Sequence, residues 1–181
     1  MVADRSPLAP LYQACAALAG VALVAIFALM IGETLLRKLF GGYIPGAGQL
    51  ISWSCAAAAF LAMPYAFRVG DFVRVDLATS VLGPRARRWS EVLALAMMAG
   101  FCAFATWSVG RYVLSAWRDE EMTQGMLEVP LWWPQTSLVL GLAVLTIAVA
   151  ECLIDVLRNR MPIYSLHEIE RIAKHDFSER V

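Results

Sequence analysis

Charge is scarce in this sequence. Only 17% of its 181 residues are charged and 60% are hydrophobic, whereas a typical soluble domain has about 25% and about 45–50% respectively. The 15 basic and 15 acidic residues cancel. This balance gives no support for nucleic acid as a partner, because a nucleic-acid-binding protein shows a basic excess. A soluble fold of this length has no use for so much apolar surface, so the composition indicates an integral membrane protein.

Residues able to hold a cofactor are also rare. The two histidines, His167 and His175, lie near the C-terminus and outside every long apolar run, whereas a haem-binding membrane anchor needs histidine ligands inside its spans. The cysteines lie in or at the end of apolar runs without any CxxC spacing, so we interpret them as small buried hydrophobes: Cys15, Cys55, Cys102 and Cys152. We therefore expect no catalytic, cofactor or metal site in this chain.

Four long runs carry no charge at all. A helix built from any one of them is about 27–30 Å long, close to the thickness of the bilayer hydrocarbon core. Each run is longer than the apolar core of a cleaved signal peptide. The runs are residues 14–32, 50–67, 92–110 and 131–150. We predict an all-α membrane protein whose domain, residues 1–160, has four transmembrane helices spanning about residues 12–36, 48–68, 89–117 and 131–157.

Two shorter segments have helical periodicity. Val73, Leu77 and Val81 recur every four residues, which predicts a short interfacial helix over residues 73–82 between the second and third spans. An ordinary connecting loop is the alternative. In the tail, residues 161–181, the sequence Ser-Leu-His-Glu fits a capping box and precedes one apolar stripe. The tail is therefore predicted to form a C-terminal amphipathic helix that lies on the membrane or against a partner.

One acidic residue sits at the edge of the first run. Glu33 precedes Arg37 by four residues, a spacing that favours an ion pair on one helix face. The alternative is a proton-coupling carboxylate, since acids inside a membrane are often functional. We favour the ion pair because Glu33 lies at the end of the run, near water and beside its partner.

The basic residues are distributed unevenly between the two sides of the predicted spans. One side, which holds both termini and the connection between the second and third spans, carries 11 of the 15 Lys and Arg residues. Basic residues are enriched in cytoplasmic loops, so both termini are predicted to be cytoplasmic. The loop between the third and fourth spans then faces outward, and it is acidic, with Asp119, Glu120, Glu121 and Glu128.

Small residues recur four apart in the spans. Ala16 and Gly20, Ala28 and Gly32, and Ala96 and Gly100 are such pairs, among others. This spacing lets membrane helices approach closely, so the spans are predicted to pack against other helices.

Two motifs resemble those of a known family. Residues 66–77, Ala-Phe-Arg-Val-Gly-Asp-Phe-Val-Arg-Val-Asp-Leu, contain Arg68, Arg74 and Asp76 at the predicted cytoplasmic end of the second span. Residues 130–134, Pro-Leu-Trp-Trp-Pro, contain Trp132 and Trp133 at the start of the fourth. With the four-span layout, these motifs make the chain similar to the small membrane subunit of tripartite ATP-independent periplasmic (TRAP) transporters.

The chain departs from this family at two positions. Phe72 stands where the family often has His, and Gln49 stands where an acidic residue is common. The contacts normally made by those residues are therefore open in this chain, although neither departure affects the expected fold.

The resemblance implies a scaffold in the bacterial inner membrane. Such subunits pair with a large multi-spanning permease subunit that holds the substrate and sodium sites, and a periplasmic substrate-binding protein delivers an organic acid. The residues expected to contact partners or membrane lipids are Arg68, Arg74, Asp76, Trp132, Trp133, Asp119, Glu120 and Glu121. Two alternatives remain from the sequence alone: a membrane anchor of a redox complex and a stand-alone small exporter using Glu33.

Overall fold

The structure, a computed structural model, describes residues 8–69 and 84–158 and contains four helices within them. Each is long and apolar enough to cross a membrane. The two described connections, residues 41–46 and 119–131, are turns and irregular segments, and the second contains an isolated β-bridge between Met122 and Pro130. The predicted four-span, all-α architecture is confirmed. The helices are α1 (Ala9–Phe40), α2 (Ala47–Val69), α3 (Pro84–Arg118) and α4 (Trp132–Leu157).

Three of the predictions fall outside the described residues. These are the short interfacial helix at residues 73–82, the amphipathic tail at residues 161–181, and the contacts expected of Arg74 and Asp76.

Glycine and proline account for several helix boundaries. α1 has a proline in its first two positions, where the missing N–H is not needed. It ends at Gly41, whose φ of 62° lies in the left-handed region that glycine adopts without a steric cost. α3 begins at Pro84, and the Gly83-Pro84 pair in the sequence predicts this start, because glycine suits the end of one helix and proline the first turn of the next. α1, α2 and α3 run one to five residues beyond their predicted spans at each end, because they continue past the uncharged runs, whereas α4 matches its predicted span to within one residue.

The four helices lie in the spatial order α1, α2, α4, α3. α1 packs against α2, α2 against α4, and α4 against α3. The starts of α1 and α3 meet the end of α4: Tyr12 contacts Glu151, and Arg88 Nη2 lies 3.5 Å from the carbonyl oxygen of Leu157. Successive helices therefore alternate in direction. α2 and α4 form the central pair, with α1 packed mainly against α2 and α3 mainly against α4.

Gly141 of α4 lies directly against the backbone of α2. A Cβ atom on this residue would lie 2.5 Å from the backbone oxygen of Phe60 in α2, so only glycine fits without a shift of one helix. The glycines singled out in the sequence behave differently. Gly20, Gly32 and Gly100 each face open space within this chain, so its own described helices do not approach closely there, and packing against helices of a partner stays a prediction.

The flanking helices remain largely uncovered. The buried residues of α1 are confined to its first half, at Tyr12, Cys15 and Ala19. Beyond them Phe27 is 68% exposed, and on α3 Phe101 is 72% exposed. Faces this apolar are stable only against lipid or another protein, so α1 and α3 form the outer surfaces of the four-helix unit within the membrane.

The cysteines agree only in part with the sequence interpretation. Cys15, Cys102 and Cys152 are buried thiols, as expected, whereas Cys55 is exposed on α2. The interpretation of Cys55 as a buried residue is wrong because α2 has an uncovered face, which an apolar run by itself does not reveal.

Candidate functional site

A polar cluster joins three helices at the predicted cytoplasmic end. We call Tyr12 of α1, Arg68 of α2 and Glu151 of α4 the polar clamp. Arg68 Nη1 lies 3.0 Å from Glu151 Oε2, and the Tyr12 hydroxyl donates to the same oxygen at 2.9 Å. The guanidinium carbon of Arg68 lies 4.4 Å from the centre of the Tyr12 ring. The arginine therefore meets a carboxylate and an aromatic face at once, which suits a planar guanidinium.

The clamp is shielded from solvent. The side chain of Arg68 is only 8% exposed and that of Glu151 is 28% exposed. A charged pair removed from water is stable only when the two groups meet in good geometry and further hydrogen bonds satisfy them. The Tyr12 hydroxyl supplies one such bond to Glu151. Because the three side chains come from three helices, the clamp fixes the ends of α1, α2 and α4 relative to one another.

Sequence reasoning placed Arg68 at a lipid or partner surface and did not identify its internal partners. The structure buries Arg68 against Glu151 and Tyr12; whether a neighbouring subunit also reaches it stays a prediction. The sequence does contain a signal for the pair. Glu151 directly follows the fourth uncharged run, and Arg68 directly follows the second. In helices of alternating direction, both residues lie at the same membrane surface.

The ion pair predicted from the sequence, Glu33 with Arg37, is confirmed. Arg37 Nη2 lies 2.8 Å from Glu33 Oε1, four residues earlier on α1, and the Arg37 side chain is 70% exposed. This contact is local and exposed, as the sequence spacing predicts. Among residues 8–69 and 84–158, no three His, Cys, Asp or Glu side chains are grouped so that they could hold a metal ion.

A threonine pair links α3 to α4 between the two ends. The hydroxyl oxygens of Thr106 and Thr146 are 3.1 Å apart. Each hydroxyl also lies 2.8 Å from a carbonyl oxygen four residues earlier on its own helix. A hydroxyl has one proton to donate and can accept as well, so the threonine that donates to the other hydroxyl gives up its own backbone carbonyl, while its partner keeps that bond. The pair holds α3 against α4 without a charge inside the membrane.

At the predicted outer end, residues 119–131 form the acidic loop. After α3 ends, the Glu121 N–H donates to the Ala116 carbonyl at 3.1 Å. Glu120 adopts a φ of 51°. This is the Schellman arrangement, in which the residue just past the helix is left-handed and is usually glycine. A glutamate there costs about 1–2 kcal/mol relative to the right-handed conformation.

Thr123 closes the acidic loop on itself. Its side chain is almost fully buried, at 7% exposure. The hydroxyl donates to the Leu127 carbonyl at 2.6 Å and accepts from the Val129 N–H at 3.1 Å. The Thr123 N–H donates to the Val129 carbonyl at 2.9 Å, and the Leu131 N–H donates to the Glu121 carbonyl at 2.8 Å. The loop therefore has defined backbone partners rather than an open, solvated chain.

Gln49, in the first turn of α2, attaches this loop to the helices. Its side-chain oxygen accepts from the Leu127 N–H at 3.0 Å, and its side-chain nitrogen donates to the Gln124 carbonyl at 3.4 Å. Two glycines allow the close approach: an added Cβ at Gly46 would overlap the Leu127 side chain, and one at Gly125 would overlap Gln49. In the sequence Gln49 is notable only as a departure from a family pattern, and its contact with the loop was missed.

The remaining predicted site residues lie around this loop. Asp119, Glu120 and Glu121 are exposed, and Glu128 is exposed on the returning strand of the loop. Trp133 is 64% exposed in the first turn of α4, whereas its neighbour Trp132 is half-buried. The structure thus brings the acidic residues and the tryptophans to the same end of the molecule, opposite the polar clamp.

A family model described as the DctQ component of tripartite ATP-independent periplasmic transporters matches residues 26–159. The chain belongs to this family. The resemblance stated from the sequence is confirmed, and the DctQ component is part of a transporter rather than an enzyme. It functions with a large permease subunit and a periplasmic binding protein. No curated protein and no solved structure matches the chain.

The matched region covers the acidic loop completely but the polar clamp only in part. It contains the acidic loop, Gln49, and two members of the polar clamp, Arg68 and Glu151. Tyr12 lies before it. The family match gives no support to the redox-anchor or exporter alternatives.

Proposed function

We propose that this DctQ component is the small scaffold subunit of a sodium-coupled inner-membrane transporter for organic acids. Its role is to support the large permease subunit, which would hold the substrate and sodium sites. The observation that carries the proposal is the contrast between the polar contacts inside the chain and the apolar faces on its outside. The polar clamp and the threonine pair join helices of this chain to each other, while α1 and α3 present large uncovered apolar faces.

The uncovered faces suit a subunit that is completed by a neighbour. In α1, Val24 and Phe27 are 69% and 68% exposed on the half of the helix beyond its buried residues. Helices associate in a membrane through close packing rather than through a hydrophobic driving force. A scaffold needs such faces together with a stiff interior, and the polar clamp supplies stiffness at the predicted cytoplasmic end.

The test is uptake by vesicles that contain both membrane subunits, together with the yield of the assembled complex by size-exclusion chromatography. Replacing Arg68 by Ala should lower the yield or the maximal uptake rate. The same proposal holds for Arg74 and Asp76, which follow in the same motif. The half-saturating concentrations of substrate and sodium should stay nearly unchanged. A tenfold shift in either, with normal yield, would mean that this chain contributes directly to a transport site.

The scaffold proposal includes an orientation with both termini cytoplasmic. The uneven distribution of Lys and Arg supports it, and Trp133 at the start of α4 suits the membrane interface, where it would contact lipid headgroups together with Trp132. A reporter fused after Gly125 should be active outside, and one fused after Val181 should be active inside. An outside signal from Val181 would overturn this orientation.

The acidic loop is proposed to dock the periplasmic binding protein. Its carboxylates are exposed, its backbone is hydrogen-bonded within the loop, and Glu120 occupies a conformation that glycine would adopt more easily. Strained backbone conformations cluster at functional positions, and this supports a role for Glu120 in docking. An acidic surface attracts a basic patch on a partner and steers the encounter.

Charge neutralisation tests this docking role. The variant converts the acidic side chains to their amides: Asp119→Asn, Glu120→Gln, Glu121→Gln and Glu128→Gln. Salt screens exposed charges, so uptake by the variant should fall at low salt and approach that of the wild type at high salt. Equal salt dependence in the two proteins would remove the docking role and leave the scaffold role unaffected.

A further inference from the structure

We propose that Gln49 is a positioning residue, which holds the acidic loop in the position needed for docking. This inference rests on the docking role proposed above. It adds a residue of α2 that carries no charge and lies 70 or more positions away from the loop in sequence. The loop and α2 meet through that side chain, so Gln49 would act on the binding protein only through the loop.

Thr123 and Gln49 have different roles in the acidic loop. Thr123 bonds to Leu127 and Val129 within the loop and so determines its internal shape. Gln49 bonds to Leu127 and to Gln124 from another element, so it determines where the loop lies relative to α2. A loop without Gln49 would keep its own hydrogen bonds and the packing of Leu127 at Gly46, but would lose its two hydrogen bonds to α2.

The chemistry of the amide suits this role. The side-chain oxygen accepts one backbone N–H and the side-chain nitrogen donates to one backbone carbonyl, so a single residue satisfies both kinds of backbone group. The Leu127 N–H has the shorter contact, 3.0 Å against 3.4 Å at Gln124. The acceptor oxygen should therefore matter more than the donor nitrogen. Gly46 and Gly125 leave room for this packing.

The first experiment measures hydrogen exchange of the loop without the binding protein. In the assembled membrane complex, Gln49→Ala should raise the exchange rate of the Leu127 amide by about threefold to tenfold, because one hydrogen bond is removed. Gln124→Ala is the matched control, because its exposed side chain is removed while its backbone carbonyl is kept. Exchange in Gln49→Ala that equals the wild type would overturn the inference, whatever the role of the loop.

The second experiment measures uptake against the concentration of the binding protein. Gln49→Ala should raise the half-saturating concentration of the binding protein by about threefold to tenfold, with the maximal rate, the complex yield and the salt dependence unchanged. Gln49→Glu keeps the acceptor oxygen and should restore much of the amide protection at Leu127. Gln124→Ala should behave as the wild type in both assays.

The outcomes separate this inference from the docking role. If the charge-neutralised loop changes the salt dependence of uptake but Gln49→Ala leaves the half-saturating concentration unchanged, the docking role stands and the positioning role is wrong. If neither variant changes the dependence on the binding protein, both are wrong. A lower complex yield in Gln49→Ala with an unchanged half-saturating concentration would make Gln49 a structural residue only, which also overturns the inference.

Discussion

Removing the charge of Glu151 tests whether the polar clamp holds the helix ends together. Glu151→Gln keeps the size of the side chain but takes the carboxylate away from Arg68, which lies 3.0 Å from it and is 8% exposed. The Tyr12 hydroxyl, 2.9 Å from the same oxygen, would then meet a neutral amide. We expect the assembled complex to lose thermal stability because a shielded guanidinium loses a favourable partner.

The size of the expected stability loss follows from the solvent exposure of the Arg68 and Glu151 side chains. Breaking a fully buried ion pair costs about 3–5 kcal/mol, whereas a fully exposed pair contributes about 0–1 kcal/mol. With the Glu151 side chain 28% exposed, the clamp lies between these limits, at about 1–3 kcal/mol. At about 2–4 °C per kcal/mol for a chain of this size, that corresponds to a fall in Tm of roughly 2–12 °C. Tyr12→Phe should cost less, since it removes the hydroxyl and keeps the ring over Arg68.

The measurement is thermal aggregation of the detergent-purified complex, followed by size-exclusion chromatography. Arg37→Gln is the matched control, because it breaks an ion pair of similar length on the exposed surface of one helix. It should leave Tm unchanged. Replacing both clamp charges, in Arg68→Met with Glu151→Leu, should be less damaging than Glu151→Gln alone, since no charge is left shielded. Equal Tm values for Glu151→Gln, Arg37→Gln and the wild type would refute the clamp.

Three further predictions concern single positions. Gly141→Ala should lower Tm by an amount equivalent to about 1–3 kcal/mol, through overpacking against the Phe60 backbone, whereas Gly100→Ala, which faces open space, should leave Tm unchanged. Thr123→Val removes two hydrogen bonds inside the acidic loop, so the Val129 amide should exchange faster while Tm changes little; protection equal to the wild type would contradict the assigned role. Glu120→Gly should relieve the left-handed backbone at φ 51°, giving equal or slower exchange of the Glu121 amide, and faster exchange would count against the Schellman arrangement.

The parts of the fold that the sequence predicts are those determined by local patterns. An uncharged run of about 20 residues needs no knowledge of its neighbours to be a span, and the pair of Glu33 with Arg37 follows from helical spacing alone. Pro84 marks the start of α3 for an equally local reason. Helix ends were less accurate, since charged residues continue a helix into the interface and leave no sharp change in composition.

The contacts that the sequence does not predict depend on which helices are neighbours. Arg68 and Glu151 are 83 positions apart, and Gln49 and Leu127 are 78 apart. These pairs form because α2 lies beside α4, and an almost uniformly apolar helix has no polar face from which that order could be read. Gly141 illustrates the same limit: a small residue permits a close approach, and the neighbouring helix decides where it occurs.

α2 is held against α4, or against the loop that leads into it, at three points along its length. These are Gln49 with Leu127, Phe60 with Gly141, and Arg68 with Glu151. At 1.5 Å per residue they are spaced by about 16 Å and about 12 Å along the helix. Three such points restrict both sliding and tilting of the pair, and α1 and α3 each attach to one side of it. This is the arrangement that a stiff support needs.

The distances between these three contacts lead to a last prediction. Effects on stability add when two sites are more than about 10 Å apart and share no partner. The fall in Tm caused by Gly141→Ala combined with Glu151→Gln should therefore equal the total of the two separate falls, measured on the same assembled complex. The alternative is that disrupting any one contact disrupts the whole packing of α2 against α4. In that case the double variant will melt near the temperature of the less stable single variant. That result would show that the three contacts are not independent and that stiffness resides in the pair as a whole.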